Sequence, residues 1–341
     1  MREHVTIKDL AKKLNISVST VSKAFNEKYF DIKADTRKLI LETAEEMDYR
    51  PNPIARKLLK RRTYNIGIIV PEFLNSFFPR VVFSMQEKLV KEGYQMLIMP
   101  SNERFETELE NIKTLENNMV DGLAISLSKE TKNVDYINRL IKRGMPIVLF
   151  NRVSQSINAP KVIFDDFKWA FFATEHLISQ GYKDIYHFAL PFHLSLCQKR
   201  IKGFKQALSK HNIPYDDTHI VEAGISIEDG ERAINTLLNN GTLPEAIFAA
   251  GDKIAVGAMK ALKKRGIKIP DQVGIVGFTE SSLAEVVEPN LTSVDQPTTE
   301  IGHTTIDLLL QAIDNHKVEN KEFIIDGKLN IRESSLRSRR V

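Results

Sequence analysis

The run TIKDLAKKLNISVSTVSKAFN at residues 6–26 constrains this chain more than any other segment. Ile7, Leu10, Ala11 and Leu14 recur at helical spacing and make one apolar face. Thr6 followed three residues later by Asp9 fits a capping box, so a first helix starts at Thr6. Asn15 ends it, because asparagine tolerates a left-handed backbone. Ser17 suits the cap of a second helix whose Val21, Ala24 and Phe25 face inward, leaving Ser19, Ser22 and Lys23 outward. A third period runs from about Asp35 to Met47, with Leu39, Ile40, Thr43, Ala44 and Met47 as its inner face. Two short helices joined by a tight turn and backed by a third have the form of a helix-turn-helix.

Pattern alone leaves open a small helical bundle with a charged surface. Charge separates the two readings. Residues 1–62 carry fifteen Lys and Arg against nine Asp and Glu, a net of +6, whereas residues 63–341 carry 33 against 35. The positive excess is confined to the segment that phosphate neutralisation would require to be basic.

The remainder has length for roughly two further domains. Apolar runs at 65–70, 94–99, 121–126 and 146–150 read as buried strands, separated by helical periods near 77–92, 103–119 and 133–143. A second set of strands follows at 162–164, 184–190, 246–250 and 273–278, with helices near 167–180, 197–211, 228–240 and 253–265. Continuous apolar strands joined by helices indicate parallel sheets covered on both faces. Two such units predict two doubly wound lobes, with ligands at the carboxyl ends of their strands.

Signals for other chemistry are weak. The chain has no P-loop, G-x-G-x-x-G, H-E-x-x-H or G-x-S-x-G motif. Asp165-Asp166 opens a predicted helix, where negative charge is favoured, and reads as a cap and cleft rim. The single cysteine, Cys197, excludes an intrachain disulfide and a cysteine zinc cluster. No apolar run is long enough for a membrane span, and MREHV leads straight into the first helix. The expectation is a cytoplasmic protein that is not an enzyme and uses no cofactor or metal. Two competing functions are an enzyme of the doubly wound class, which requires a catalytic cluster at the cleft, and a transport binding protein, which requires an export signal.

The segments VTIKDLAKKLNISVSTVSKAFN and DTRKLILETAEEMDYRPNPIARKLL resemble the head of the lactose-repressor (LacI/GalR) family. The similarity is dense over residues 5–62 and looser beyond. The resemblance implies an all-α DNA-binding head at 1–50, a hinge at 51–62 and a periplasmic-binding-protein-like body at 63–341. Lobe 1 would span about 63–161 and 294–325, and lobe 2 about 162–293 and 326–341. It implies base reading by Val18, Ser19 and Lys23, and phosphate contacts from Thr6, Ser17, Thr20, Ser22, Asn26 and Thr36. Lys23 stands where the family usually has Arg, so its preference for guanine is geometrically looser. Ile32-Lys33 replaces the usual Val-Ser before the third helix, which weakens that cap. In the hinge, Ala55 and Leu58 match the minor-groove segment, Leu58 being the wedge between central base pairs. A flexible linker is the plainer reading of those twelve residues.

The same resemblance implies a homodimer on a near-palindromic double-stranded operator, with a small carbohydrate-like effector between the lobes. Candidate effector contacts are Phe77, Phe78, Ser126, Asn151 and Arg200, the last in an R-x-x-G-F motif. Thr279 stands where an aspartate often grips sugar hydroxyls, and Glu280 follows it. Gly251 stands where an asparagine is usual, and Asp252 after it reads as a helix cap.

Overall fold

The computed structural model describes residues 5–25, 32–49, 62–73, 76–314 and 318–337. The chain forms two units, Met1–Tyr64 and Asn65–Val341.

In the first unit, α1 is Ile7–Leu14, α2 is Val18–Ala24 and α3 is Ala34–Glu46. Thr6 and Asp9 form the capping box: Thr6 N donates to Asp9 Oδ2 at 2.9 Å, and Asp9 N donates to Thr6 Oγ1 at 3.4 Å. Asn15 closes α1 with φ 50°, and Ser17 Oγ accepts from Thr20 N at 3.0 Å to open α2. Lys33 makes no side-chain cap on α3. Leu10, Ala11, Val21, Ala24, Ile40 and Ala44 are buried together. Leu39 departs from the expected inner face and is 54% exposed. It lies one position off the Ile40–Ala44–Met47 stripe, and 100° of rotation carries it to solvent. Arg37 Nε donates to the Ala24 carbonyl at 3.2 Å, so α3 satisfies an end of α2.

The second unit contains two six-stranded sheets. The first comprises β1 (Asn65–Val70), β2 (Gln95–Pro100), β3 (Gly122–Ile125), β4 (Ile147–Phe150), β5 (Lys161–Phe164) and β11 (Glu322–Ile325). Its order is β11-β5-β4-β3-β1-β2, parallel throughout, with Ile68 opposite both Ile98 and Ala124. The second comprises β6 (Ile185–Ala189), β7 (Ile220–Glu222), β8 (Ala246–Ala249), β9 (Gly274–Thr279), β10 (Thr292–Asp295) and β12 (Lys328–Asn330). Its order is β12-β10-β9-β8-β6-β7, and only β12 runs antiparallel. The covering helices are α4 (Phe77–Lys91), α5 (Phe105–Asn117), α6 (Asp135–Lys142), α7 (Asp166–Ser179), α8 (Ser195–Lys210), α9 (Ile227–Asn239), α10 (Asp252–Lys264), the short α11 (Leu283–Val286) and α12 (Thr298–Ile313).

The chain passes between sheets three times: after β5, after β10 and between β11 and β12. One expectation changes here. Residues 162–164, read with the second lobe, pair with β4 and β11 in the first sheet, so the first crossing falls after Phe164 rather than near 161. Later, α12 packs against α4 and across β3, β4 and β5. Its position makes the first lobe discontinuous in sequence. All three crossings lie at carboxyl ends of parallel strands, the edge at which the two lobes face each other.

Candidate functional site

On the head, α2 is fixed by Val21 and Ala24, both 0% exposed, while Val18 is 42% exposed and Ser19 and Lys23 are exposed beside it. Ser22 and Thr36 are half-buried. The Ser17 and Thr20 hydroxyls bond each other at 2.8 Å, and Thr6 Oγ1 donates to Asp9 Oδ2 at 2.6 Å. Hydrogen bonds from Thr6 hold the Asp9 carboxyl below its ordinary range, so the cap is strongest when Asp9 is ionised. Asn26, Ala55 and Leu58 lie outside the described residues.

In the body, a cleft of about 740 Å³ opens between the lobes. Its wall follows the strand ends. Glu72, Phe73 and Ser76 come after β1, Asn102 and Glu103 after β2, and Asn151 and Arg152 after β4. Leu190, Ser226, Asp252 and Ser281 come after β6, β7, β8 and β9. Two contacts join the lobes beside it: Arg80 Nη2 donates to the Thr279 carbonyl at 2.8 Å, and His193 Nε2 donates to the Lys129 carbonyl at 2.7 Å.

Five expected residues meet at this wall: Phe77, Phe78, Asn151, Arg200 and Thr279. Phe77 and Phe78 pack edge to face, centroids 5.2 Å apart. Asn151 has φ 57° and Thr279 φ 113°, both left-handed turns off strand ends. Arg200 is held on three sides. Its Nε and Nη2 each lie 2.8 Å from Asp166 Oδ1, Nη1 donates to the Ala250 carbonyl at 2.6 Å, and the guanidinium sits 3.7 Å from the Phe278 ring centroid. Burial pushes the Asp166 carboxyl up, and the Arg200 charge opposes that.

Three expectations are corrected. Ser126 is fully buried off the wall, its Oγ accepting from Arg152 N at 3.4 Å. Glu280 is also off the wall, paired with Arg332, whose Nη1 lies 3.2 Å from Glu280 Oε2. Asp252 is not a cap, because Gly251 holds that position. Its Oδ2 accepts from Ser281 N at 2.5 Å and its Oδ1 from Ser293 Oγ at 2.6 Å, tying the loop after β9 to β10. Burial pushes its carboxyl up to about 6. The acidic pair also divides: Asp165 caps α7 through Lys168 N, while Asp166 backs Arg200. Cys197 is buried in α8, its thiol donating to the Leu190 carbonyl.

Sequence reasoning missed the Arg152–Glu103 pair and Gln296. Arg152 Nη1 lies 2.8 and 2.7 Å from the two Glu103 oxygens, and its guanidinium lies 5.8 Å from the Phe78 ring centroid. The available signal was position: each of these residues lies within three residues of a strand's carboxyl end.

Residues 6–52 match the family model "Bacterial regulatory proteins, lacI family", and residues 63–333 match "Periplasmic binding proteins and sugar binding domain of LacI family". The chain belongs to the LacI family. This family is one of transcriptional regulators, not enzymes. The LacI-family chain is 30% identical over 333 residues to catabolite control protein A of Priestia megaterium, covering 97% of this chain and 99% of that protein. It is 30% identical over 331 residues to the ribose operon repressor of Halalkalibacterium halodurans, covering 97% of each. A LacI family transcriptional regulator from Enterococcus faecium with bound ribose is 27% identical, with TM-score 0.71, covering 79% of this chain and 98% of that one. The lac repressor dimer bound to operator and the anti-inducer ONPF shares the fold at 23% identity, with TM-score 0.87 over 98% of this chain and 100% of that one.

Proposed function

We propose that this LacI-family chain is a repressor-type regulator that reads operator DNA with α2 and changes its DNA affinity when a small polyhydroxylated effector enters the cleft. The observation carrying this reading is α2 itself, pinned by Val21 and Ala24 with Val18, Ser19 and Lys23 outward. Those three read base edges, while Thr6, Ser17, Thr20, Ser22 and Thr36 set register on phosphates. Phosphate contact by Asn26 and minor-groove contact by Ala55 and Leu58 complete the reading on the resemblance alone. A homodimer presents two heads to a near-palindromic site. Such a protein works where the chromosome is, in the cytoplasm.

In the cleft, Phe77 and Phe78 offer apolar surface, and Asn151, Thr279 and the remaining N–H groups of Arg200 offer hydrogen bonds. The ribose named with the Enterococcus faecium relative supports a sugar-like ligand. An effector that binds one lobe arrangement better shifts the population toward it, and operator affinity moves by the same coupling energy. The test is a gel shift of the full chain against genomic fragments at moderate salt, with and without ribose or cellobiose. A sequence-selective shift that a sugar alters is expected. Uniform binding to all fragments contradicts the reading, since phosphate attraction alone produces that.

A further inference from the structure

We propose that Glu103 and Asp166 are specificity-determining residues that cancel the two cleft arginines, so the cleft takes an uncharged, hydroxyl-bearing ligand and rejects its phosphorylated form. This rests on reading the cleft as the effector site. An arginine in a ligand cleft ordinarily signals phosphate or carboxylate, because the guanidinium forks onto such groups. Here both guanidinium charges already face a buried carboxylate, Arg152 through Nη1 alone and Arg200 through Nε and Nη2. Arg152 meets both Glu103 oxygens, with each side chain 11% exposed. Arg200 meets Asp166 through two nitrogens, with side chains 5% and 6% exposed. An incoming anion would have to displace a carboxylate that stays beside it, in surroundings where water screens little.

Two further observations point the same way, and a third places hydrogen-bond donors for a ligand oxygen. The charged residues of the wall are Glu72, Glu103, Asp252, Arg152, Arg200 and Lys253, three of each sign, and Asp166 adds another negative charge behind it. Among the described residues no cation pairs with Asp252, although it is 2% exposed. Gln296 Nε2 and Ser76 Oγ are buried on the wall without a hydrogen-bond partner. Buried donors of this kind are costly unless an acceptor arrives, so they call for a ligand oxygen here, while the choice between hydroxyl and phosphate falls to the charges.

Inorganic phosphate is the probe. Full-length chain is titrated with it by calorimetry at constant ionic strength, and the proposal expects no saturable binding across the millimolar range. Glu103→Gln retains an acceptor for Lys129 N but frees the Arg152 charge, and should bind phosphate saturably, with a Kd at least roughly tenfold below the highest concentration at which wild type shows none. Adding Arg152→Gln should abolish that gain, which assigns it to the arginine. Asp166→Asn provides a second, independent unmasking at Arg200. Saturable phosphate binding by the wild type overturns the proposal, as does a folded Glu103→Gln protein that binds no better than wild type. The wild-type titration needs no variant, so it decides even if a variant fails to fold. Failure of sugars to alter the gel shift would instead remove the effector reading, a separate result.

Discussion

Arg200 on α8 and Asp166 on α7 form a buried ion pair in which Nε and Nη2 both lie 2.8 Å from one carboxylate oxygen. The pair requires the two helices to lie close. Gly203, one turn beyond Arg200, permits this, because a Cβ there would overlap the Phe167 carbonyl. The R-x-x-G-F motif thus couples a cleft cation to the glycine that lets its helix approach its counter-ion.

Asp166→Asn should therefore destabilise the body by about 3 kcal/mol, since it leaves a buried guanidinium without its partner charge. Urea unfolding followed by circular dichroism measures this. A change within experimental error would mean the pair is dispensable to the fold.

Asp252 gives a pH signature. Its carboxyl is raised to about 6 in the folded chain, against an ordinary value of 3.8. The folded state therefore takes up a proton first as pH falls, and stability rises through that window. The gain is absent above about pH 7, grows as pH drops through 6, and is complete below 3.8. Comparison with Asp252→Asn cancels the other carboxylates. Wild type should gain roughly 2 kcal/mol relative to the variant between pH 7 and pH 4. Parallel unfolding curves at both pH values would refute the assignment.

The capping box predicts a local effect on the head. Thr6→Ala removes an acceptor for Asp9 N and should cost α1 about 1 kcal/mol. Amide exchange across 9–14 should then accelerate about fivefold, with exchange in the body unchanged.

Legibility from sequence followed the strength of the local signal. The Thr6–Asp9 box, Asn15 and Ser17 were readable because capping chemistry lies within four residues. Leu39 was misplaced because apolarity does not reveal which side of a stripe a residue occupies. The strands β7, β10, β11 and β12 went unread. They are three or four residues long, and Thr292–Asp295 and Lys328–Asn330 are largely polar, so their pairing is decided by partners far away in sequence. Ser126, Glu280 and Asp252 all sit at or near strand ends, yet only Asp252 reaches the wall. Distant partners settled the matter: Glu280 is held by Arg332, 52 positions away, and Ser126 by the Arg152 backbone N–H, 26 positions away.

In the proposed reading Lys23 contacts a base edge and sets how sharply the head discriminates. A lysine is a point charge, and Lys23→Arg should strengthen the preference for guanine at its base pair by about 1 kcal/mol. Competition with duplexes substituted at single positions reports this directly. An equal shift at every position would place Lys23 on phosphate instead.

The central claim is that α2 reads sequence and that cleft occupancy governs how well it does so. Its most direct measurement is fluorescence anisotropy of full-length chain on a duplex selected from genomic fragments, at fixed salt, against a scrambled duplex of the same composition. The account predicts tight binding to the selected duplex only, weakened by Lys23→Ala and altered by a bound sugar. Equal affinity for both duplexes, unmoved by Lys23→Ala, would contradict it.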